Sequence, residues 1–463
     1  MTKISKVNDF TDGPILGPLL RFTLPILLAL FLQSLYGAVD LLIVGQFAST
    51  VSVSGVSMGA QVTNGVMLVI SNLAMGTTVL LGQFIGQKKL EEGGKTVGSS
   101  IWLFGIIAVA VTIALFILAP NALALFKLPQ EAMGEGTIYT RICSVGFVFI
   151  VAYNLCGSIF RGIGDSKTPL ITVAIACVIN IAGDLLLVAV FHMAAAGAAI
   201  ATVAAQAISV IISLLIVRKK GLPFHFGKDS MKPDKAIIKR ILRLGAPLGL
   251  QEIVLTASFL ISSAVANSLG LVASASIGVA GRLFGFIMLF PSAFMQSMSA
   301  FIAQNIGAER IDRAKRALLH GIWTSLAFAT LMSFFSILHG EWLTQIFSKD
   351  PEVIVAAAQY VKAYGIDTFM TSILFCVVGF LNGCGKTTVT MIQSFVGVAV
   401  RIPLLFWFKA LGGGDLFLIG LAVPTATMVQ DLVCIIYFFV VKKRLELRYG
   451  GNVPKKEPAV SGG

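Results

Sequence analysis

Five acidic residues lie inside long apolar stretches of this sequence, where an ionised side chain is costly. They are Asp40, Asp184, Glu252, Asp367 and Asp431. A carboxylate at the centre of a membrane costs about 3 kcal/mol on insertion scales, so an acid in such a stretch is a candidate functional group. Two neighbouring carboxylates in an apolar setting cannot both stay ionised at low cost. The chemistry that they indicate is therefore the binding and release of a proton or a small cation.

Asp40 belongs to a narrow polar stripe on the first apolar stretch. Tyr36 precedes it by four residues and Gln33 by seven, so the three share one face of a helix. Pro25, near the start of the same stretch, lacks a backbone N–H and is expected to bend or loosen the helix. The first helix is thus predicted to combine an ionisable group with a deformable point.

The fifth and sixth apolar stretches carry similar stripes. Asn180 and Asp184 are four residues apart on the fifth. The sixth carries hydroxyl and amide side chains at helical spacing: Thr202, Gln206, Ser209 and Ser213. Carboxylate, amide and hydroxyl oxygens suit a proton or Na⁺ and are too few for a transition metal. Because no lysine or arginine lies at a similar depth on these three stretches, Asp40 and Asp184 are predicted to be exchangeable rather than fixed in ion pairs.

The acids of the second half leave two interpretations open. Glu252 and Asp367 lie on polar stripes of the seventh and tenth stretches, and Asp431 lies on the last. A role in ion exchange and a structural ion pair fit Glu252 and Asp367 equally well. The bases that could neutralise these two are Arg282, Lys362 and Arg401. A helix end or a buried base explains Asp431 as easily.

Membrane-spanning helices are the elements that must position these residues. The chain has 463 residues, of which 56% are hydrophobic and 12% charged, and its mean hydropathy is +0.90. Soluble domains carry about 25% charged residues. Runs such as 101–120 and 415–441 reach the roughly 20 residues that a bilayer-spanning helix needs. We predict an all-α integral membrane protein with about twelve transmembrane helices, no removable signal peptide and six unpaired cysteines that fill apolar space.

The formal net charge of +13 is concentrated at alternate connections between the apolar stretches. Basic clusters occur near the N-terminus, at 88–95, at 218–243, at 310–316 and at 442–444. An excess of Lys and Arg marks the cytoplasmic side of a membrane protein. We therefore predict a multi-pass plasma-membrane protein with both termini in the cytoplasm, in contact with membrane lipids. Nucleic acid is not an expected partner.

The chain contains two copies of one pattern. Gln83 and Gln304 are 221 positions apart, as are Gly162 and Gly383. The predicted organisation is an N-lobe of six spans at 1–217, a cytoplasmic linker at 218–238, a C-lobe of six spans at 239–441 and a cytoplasmic tail at 442–463. Two parallel repeats predict a pseudo-twofold axis along the membrane normal, as in transporters whose lobes rock around a central cavity. A duplication can also stabilise a bundle without any transport.

The stretch FLNGCGKTTVT ends like a phosphate-binding loop, but its spacing is wrong. Such a loop needs a glycine five positions before the glycine of GKT, where this chain has Phe380. The stretch is instead the second copy of the turn in RGIGDSKTP. No serine–histidine pair or metal-ligand cluster appears either, so neither an enzyme nor a nucleotide-driven pump is predicted.

Together these motifs resemble the multidrug and toxic compound extrusion (MATE) family. The resemblance covers roughly residues 19–443. It rests on Pro25 and Asp40 and on the motifs GQFIGQKK, FRGIGDSKTP, NIAGDLLL and GCGKTT followed by RIPL. It implies twelve helices in two pseudo-symmetric six-helix lobes around a V-shaped cleft. It also implies a secondary antiporter that exports organic cations or drugs in exchange for H⁺ or Na⁺, without any other cofactor.

Residue by residue, the resemblance assigns an ion site and a substrate cavity. The ion site, with Na⁺ as one possible occupant, comprises Asp40, Asn180, Asp184 and Thr202, surrounded by Tyr36 and Asn154. Bending at Pro25 accompanies ion exchange in the family. Glu252 and Asp367 are similar to a C-lobe acidic site of some members. The predicted substrate cavity comprises Gln33, Gln206, Met67, Met288, Glu252 and Asp367, although core packing explains the methionines as readily.

The nearest alternative is a lipid-linked oligosaccharide flippase of the same superfamily. Its anionic pyrophosphate cargo favours an arginine-lined cavity, for which Arg282 and Arg401 are candidates. The two acids of the N-lobe favour the antiporter, which we expect to function as a monomer.

Overall fold

The computed structural model describes residues 9–224, 226–227 and 229–449, with side chains to residue 443, and this part contains helices and no strands. The helices are α1 (Leu16–Phe47), α2 (Thr50–Gly86), α3 (Leu90–Leu125), α4 (Met133–Val145), α5 (Phe147–Gly162), α6 (Lys167–Asp184), α7 (Ala194–Lys220), α8 (Lys235–Asn267), α9 (Leu271–Ile287), α10 (Leu289–Gly307), α11 (Ile311–Leu338), α12 (Gly340–Thr344), α13 (Pro351–Gly383), α14 (Thr387–Gly412), α15 (Leu416–Gly420) and α16 (Ala422–Tyr449). The predicted basic residues before position 9 and the segment 450–463 lie outside the described residues.

The predicted number of about twelve spans is confirmed. Among the described residues, eleven spans are long and apolar enough to cross a membrane, and the bent pair α4–α5, counted as one span, brings the number to 12. The axes of this pair meet at 54°, on either side of Gly146. A Cβ atom at Gly146 would lie 2.2 Å from a methyl group of Val203 on α7. The missing side chain therefore lets α7 pack against the bend.

The two glycine turns of the repeat have the same backbone conformation. Gly164 and Gly385 have φ angles of 81° and 74°, in the left-handed region that favours glycine. In each turn the residue after the glycine donates its N–H to a carbonyl five residues earlier, at 2.8 Å. The GKT triplet thus lies in the turn that joins α13 to α14, and no strand precedes it in the described chain.

We call helices α1–α7 the first lobe and helices α8–α16 the second, although this division stays a prediction. The first helix of each lobe begins in an apolar cluster of the other. Phe22 and Ile26 of α1 belong to an apolar cluster whose other members include Phe294 and Phe301 of α10. Ile241 of α8 belongs instead to a cluster of the first lobe. This exchange joins the lobes at the end of the bundle that carries the basic connections, which we call the basic end.

The segments that precede these two helices are fixed in the same crossed manner. The Arg313 guanidinium of α11 donates hydrogen bonds to four backbone carbonyls in the segment 10–14, before α1. On the opposite side, Ser99 of α3 accepts the N–H of Asp234, just before α8, at 3.1 Å. Both entry segments are thus held by the partner lobe, which fixes where α1 and α8 start.

Candidate functional site

A polar cavity of 420 Å³ lies inside the first lobe, between α1, α2, α4 and α7. Six of the residues predicted from the sequence line it: Gln33, Tyr36, Asp40, Met67, Thr202 and Gln206. Asp40 is the charged member of the described lining, and none of the described lining residues is basic. The cavity therefore combines a polar wall with a single carboxyl group.

Helix α2 supplies cavity residues that the sequence patterns did not single out. Ser57, Gln61 and Asn64 lie at helical spacing along one face of α2 and line the cavity. Tyr139 and Cys143 of α4 line it as well. The spacing of the three α2 residues is the same signal that identified the sixth apolar stretch. The bend between α4 and α5 has no such signal in the sequence.

Three side-chain hydrogen bonds, two of them long, connect the helices around the cavity. Gln206 of α7 donates from Nε2 to the hydroxyl of Tyr36 on α1 at 3.4 Å. Gln33 of α1 donates to the hydroxyl of Tyr153 on α5 at 2.8 Å. Asn180 of α6 donates to Oγ1 of Thr202 on α7 at 3.4 Å. The two bonds at 3.4 Å are near the limit of a hydrogen bond, so these side chains can turn towards another partner at little cost.

Asp184 lies directly behind Asp40 and has no exposed surface, whereas Asp40 is 5% exposed. The carboxyl groups of the two residues are close enough for the charge of one to act on the other. Ionised carboxylates only accept hydrogen bonds, so a bond between these two requires a proton on one of them. No basic side chain acts on either carboxyl among the described residues. The pair is therefore a site without a built-in counter-charge.

Several oxygen atoms at and beside this pair have no hydrogen-bond donor among the residues that the structure describes. They are Oδ1 of Asp40, both carboxyl oxygens of Asp184 and Oδ1 of Asn180. Buried acceptors without partners are rare in proteins because each costs the free energy of its lost hydration. A proton or Na⁺ would satisfy them, since hard cations prefer oxygen ligands. The described residues contain no cluster of three or more His, Cys, Asp or Glu side chains that would suit a transition metal.

The backbone at Asp184 leaves the α-helical path. Helix α6 ends at Asp184, and a π-helical turn follows over Leu185–Val190. Such turns are rare and often occur at functional sites. Asp184 is thus the last residue of a regular α-helix, and the turn that follows it has π-helical rather than α-helical hydrogen bonds.

Two further predicted residues lie outside the cavity lining. Asn154 of α5 donates from Nδ2 to the carbonyl oxygen of Ile150 at 2.8 Å, and Ile150 itself lines the cavity. Pro25 is buried within α1, which continues as one helix from Leu16 to Phe47. The part that Asn154 and Pro25 play in ion exchange stays a prediction.

The structure does not bring Glu252 and Asp367 together. Glu252 of α8 accepts a hydrogen bond of 3.2 Å from Asn72 of α2, across the boundary between the lobes. Asp367 of α13 accepts from Thr427 at 2.6 Å and from Thr371 at 3.0 Å, inside the second lobe. Helical periodicity could not identify Asn72 or Thr427, because they lie 180 and 60 residues away in the chain from their partners. Neither acid lines the cavity of the first lobe.

Of the predicted bases, Arg401 is the one whose charge acts on Asp367. Arg282 is exposed, and Glu252 has no basic partner among the described residues. Asp431 of α16 is 9% exposed, and its Oδ1 lacks a partner. Met288, which was predicted to line the substrate cavity or to pack in the core, packs against an apolar cluster of the second lobe.

A reciprocal pair of glutamine contacts joins the two lobes at the basic end. Gln83 of α2 donates to the carbonyl oxygen of Gly383 in the second lobe at 3.1 Å. Gln304 of α10 donates to the carbonyl oxygen of Gly162 in the first lobe at 3.2 Å. The two bonds are related by the internal repeat, and each connects the two lobes. We call this arrangement the glutamine clasp.

Two glycines bring the helices of the clasp together. A Cβ atom at Gly86 would lie 2.0 Å from the carbonyl oxygen of Gln304, and one at Gly307 would lie 2.1 Å from that of Gln83. Both distances are shorter than any nonbonded contact that a carbon atom tolerates, so only glycine permits this approach. The clasp therefore depends on the two glycines that the repeat places at equivalent positions.

The family model MatE matches residues 25–186 and 247–407, one match in each copy of the repeat. The chain is similar to the "Probable multidrug resistance protein YpnP" of Bacillus subtilis, with 26% identity over 94% of this chain and 97% of the relative. It is also similar to the "Multidrug export protein MepA" of Staphylococcus haemolyticus, with 22% identity over 87% of this chain and 89% of the relative.

Solved structures have the same fold. One is the "Outward-facing conformation of a multidrug resistance MATE family transporter of the MOP superfamily", with a TM-score of 0.89 and 18% identity over 96% of this chain and 100% of the other. A second, from Pyrococcus furiosus, is described by the words "Reverse polarity of binding pocket suggests different function of a MOP superfamily transporter". It has the same TM-score and identity over 96% of this chain and 99% of the other. At this identity the likeness concerns the fold alone.

Proposed function

The chain belongs to the MatE family of multi-pass membrane transporters, and we propose that it is a secondary antiporter that exports cationic, amphipathic compounds in exchange for H⁺ or Na⁺. The observation that carries the proposal is the acidic cavity of the first lobe. Asp40 faces this cavity, and the donor-free oxygens of Asp184 lie behind it. The names of the relatives YpnP and MepA, as a probable multidrug resistance protein and a multidrug export protein, support the export of drugs.

The cavity can attract an organic cation and a coupling ion through the same carboxyl group. Asp40 supplies negative charge, and apolar side chains such as Met67 and Leu41 supply an adaptable wall for the body of a drug. A proton or Na⁺ that binds Asp40 and Asp184 neutralises this charge and weakens the attraction for a cationic drug. Ion entry from outside the cell would therefore promote release of the substrate there.

Coupling also requires that the ion binds one conformation of the transporter more tightly than the other. An ion with equal affinity for both states shifts nothing. In the present conformation the glutamine clasp holds the two lobes together at the basic end. If the basic end faces the cytoplasm, as the distribution of Lys and Arg predicts, this state is closed to the cytoplasm. Opening of the clasp would then admit a substrate from inside the cell.

We place the protein in the plasma membrane as a monomer.

The polarity of the cavity favours the antiporter over a flippase of anionic lipid-linked sugars. A pyrophosphate cargo requires basic side chains, and none lines this cavity among the described residues. For the Pyrococcus transporter, a reversed polarity of the binding pocket is taken to suggest a different function within the same fold. Failure to transport any cation, together with binding of a diphosphate lipid, would favour the flippase.

Ethidium export from proteoliposomes tests the proposal and identifies the coupling ion. Vesicles that contain the purified protein are loaded with ethidium, and release is followed after a pH gradient or a Na⁺ gradient is imposed separately. We expect one of the two gradients to drive ethidium movement well above that of protein-free vesicles. A proton ionophore should abolish the response to pH but not a response to Na⁺. Movement that responds to neither gradient would overturn the antiport proposal.

Replacement of Thr202 with Val distinguishes the two ions at the site itself. The Thr202 hydroxyl is a candidate oxygen ligand beside Asn180, and Na⁺ requires several oxygen ligands whereas a proton requires one carboxyl group. If Na⁺ is the coupling ion, the Na⁺ concentration for half-maximal transport should rise by about 10-fold, roughly 1.4 kcal/mol. If the ion is H⁺, the pH dependence of transport should change little. Thr330→Val, on an exposed face of α11, is the matched control.

A further inference from the structure

Arg401 occupies the position in the second repeat that Asn180 occupies in the first. The two residues are 221 positions apart, and the intervening repeat is continuous from the Gly164 and Gly385 turns. Tyr139 and Tyr360 are related by the same spacing. Equivalent positions of the two repeats therefore carry side chains of different charge, the neutral Asn180 in the first lobe and the cationic Arg401 in the second.

The guanidinium group of Arg401 is held in place within the second lobe. Its Nε donates to Oγ of Ser258 on α8 at 3.0 Å, and a second guanidinium nitrogen also contacts that oxygen. The group lies over the ring of Phe259, 5.0 Å from the ring centre. Ser258 is fully buried. A cation that is hydrogen-bonded and stacked in this way is fixed in position.

The charge of Arg401 acts on the buried polar groups around it. Asp367, Tyr360 and Tyr364 of α13 are within its electrostatic range. Asp367 is 1% exposed, and its two oxygens accept hydrogen bonds from Thr427 and Thr371. A buried carboxylate is stable only when charge and hydrogen bonds compensate for its lost hydration. Arg401 and the two hydroxyls supply both.

The first lobe has the opposite arrangement at the equivalent place. There Tyr139 lies near Asp40, Asn180 replaces the arginine, and the oxygens of Asp184 lack donors. The first lobe thus needs a cation from outside, whereas the second lobe contains one. This difference exists although both lobes descend from the same repeated pattern.

We propose that Arg401 is a tethered cation that permanently takes the place, in the second lobe, of the exchangeable cation of the first. The chain would then exchange a cation at a single site in each transport cycle, and this site is formed by Asp40 and Asp184. Removal of the Arg401 charge should free Asp367, together with nearby Asp431, to bind a proton or Na⁺. This inference rests on the proposed ion exchange in the first lobe, which it deepens by assigning the second lobe a fixed charge.

Equilibrium cation binding to the purified full-length protein in nanodiscs tests the inference without substrate or gradient. Bound ²²Na⁺ is counted at pH 8.5, and proton uptake per chain is measured by titration from pH 9 to pH 6 in Na⁺-free buffer. Arg401→Gln should bind one more cation per chain than the unmodified protein in one of the two assays. Arg401→Lys keeps a fixed charge and should show no gain.

Substitution of Asp367 identifies the group that binds the added cation. Arg401→Gln combined with Asp367→Asn should lose the gain, because the freed carboxyl group is gone. If Arg401→Gln alone does not fold, recovery of folding in this double variant supports the assignment, and absence of recovery overturns it. A folded Arg401→Gln variant that binds no additional Na⁺ or proton also overturns it.

The same assays separate this inference from the proposed function. Asp40→Asn should bind one cation fewer than the unmodified protein, whatever the state of the second lobe. Loss of that effect would contradict the ion site of the first lobe. If Asp40→Asn behaves as expected and Arg401→Gln shows no gain, the antiport proposal stands and only the role of Arg401 is refuted.

Discussion

Replacement of Asp40 with Asn is expected to reduce ion-driven efflux of ethidium by about 10- to 100-fold. Coupling free energies between two binding events are typically about 1–3 kcal/mol, which corresponds to this range of factors. The substitution preserves the size of the side chain and removes its ability to bind a proton or to carry charge. Efflux is measured as the loss of ethidium fluorescence from energised cells that express the variant at the normal level.

The large effect follows from the position of Asp40 between the cavity and Asp184. Asp40 is the charged residue of the described cavity wall, and Asp184 behind it has no exposed surface. An amide at position 40 could donate a hydrogen bond to Asp184 and satisfy one of its oxygens. The variant should therefore fold while it loses both the attraction for a cation and the site of ion exchange.

A matched control is Asp229→Asn in the linker between the lobes. The Asp229 side chain is 95% exposed and pairs with Lys232 at the surface, so its removal should leave efflux within twofold of normal. Residual transport by Asp40→Asn that still responds to the ion gradient at the normal rate would refute the central role of this carboxyl group.

The helical architecture was predictable because the relevant signals are long and repeated. Apolar runs of about 20 residues have few alternatives to a spanning helix, which is why the number of spans could be estimated before the structure. The turn at GKT was also identifiable from its first copy, and the shared left-handed φ angles of Gly164 and Gly385 give the physical reason. The lobe boundaries remain a prediction, since the starts of α1 and α8 pack into the opposite lobes.

The site was only partly predictable, because helical periodicity identifies faces but not distances. The stripes of α1 and α7 placed Tyr36, Asp40 and Gln206 on faces that do line one cavity. Periodicity could not show that Glu252 meets Asn72 across the lobe boundary, 180 residues away in the chain. The glutamine clasp was likewise hidden, since each glutamine contacts the copy of the repeat to which it does not belong.

Replacement of Gly86 with Ala is expected to weaken closure of the basic end and to reduce efflux by about 10-fold. The added Cβ atom would lie 2.0 Å from the carbonyl oxygen of Gln304, so α2 and α10 must separate. Overpacking of this kind costs about 1–3 kcal/mol. If the two helices separate when the basic end opens, this cost falls on the closed state alone. It then shifts the population of transporters from the closed state to the open state.

Cysteine labelling reports the shift independently of transport. Cys384 follows Gly383, whose carbonyl oxygen accepts the clasp hydrogen bond from Gln83. Alkylation of Cys384 by a maleimide, quantified by mass spectrometry of the peptide, should be about 10-fold faster in Gly86→Ala than in the unmodified protein. Gly307→Ala should give the same result, because its added Cβ atom would lie 2.1 Å from the carbonyl oxygen of Gln83.

The matched control for both glycine variants is Gly105→Ala on α3, where an added Cβ atom meets nothing within 4 Å. It introduces the same methyl group into a transmembrane helix and should alter neither efflux nor the labelling rate of Cys384. The clasp would have no part in alternating access if Gly86→Ala and Gly307→Ala both exported ethidium at the normal rate with Cys384 still protected. If Cys384 instead labels rapidly in both variants and neither variant exports ethidium, closure of the basic end is a required step of transport. The two glycines would then be needed for transport and not for packing alone.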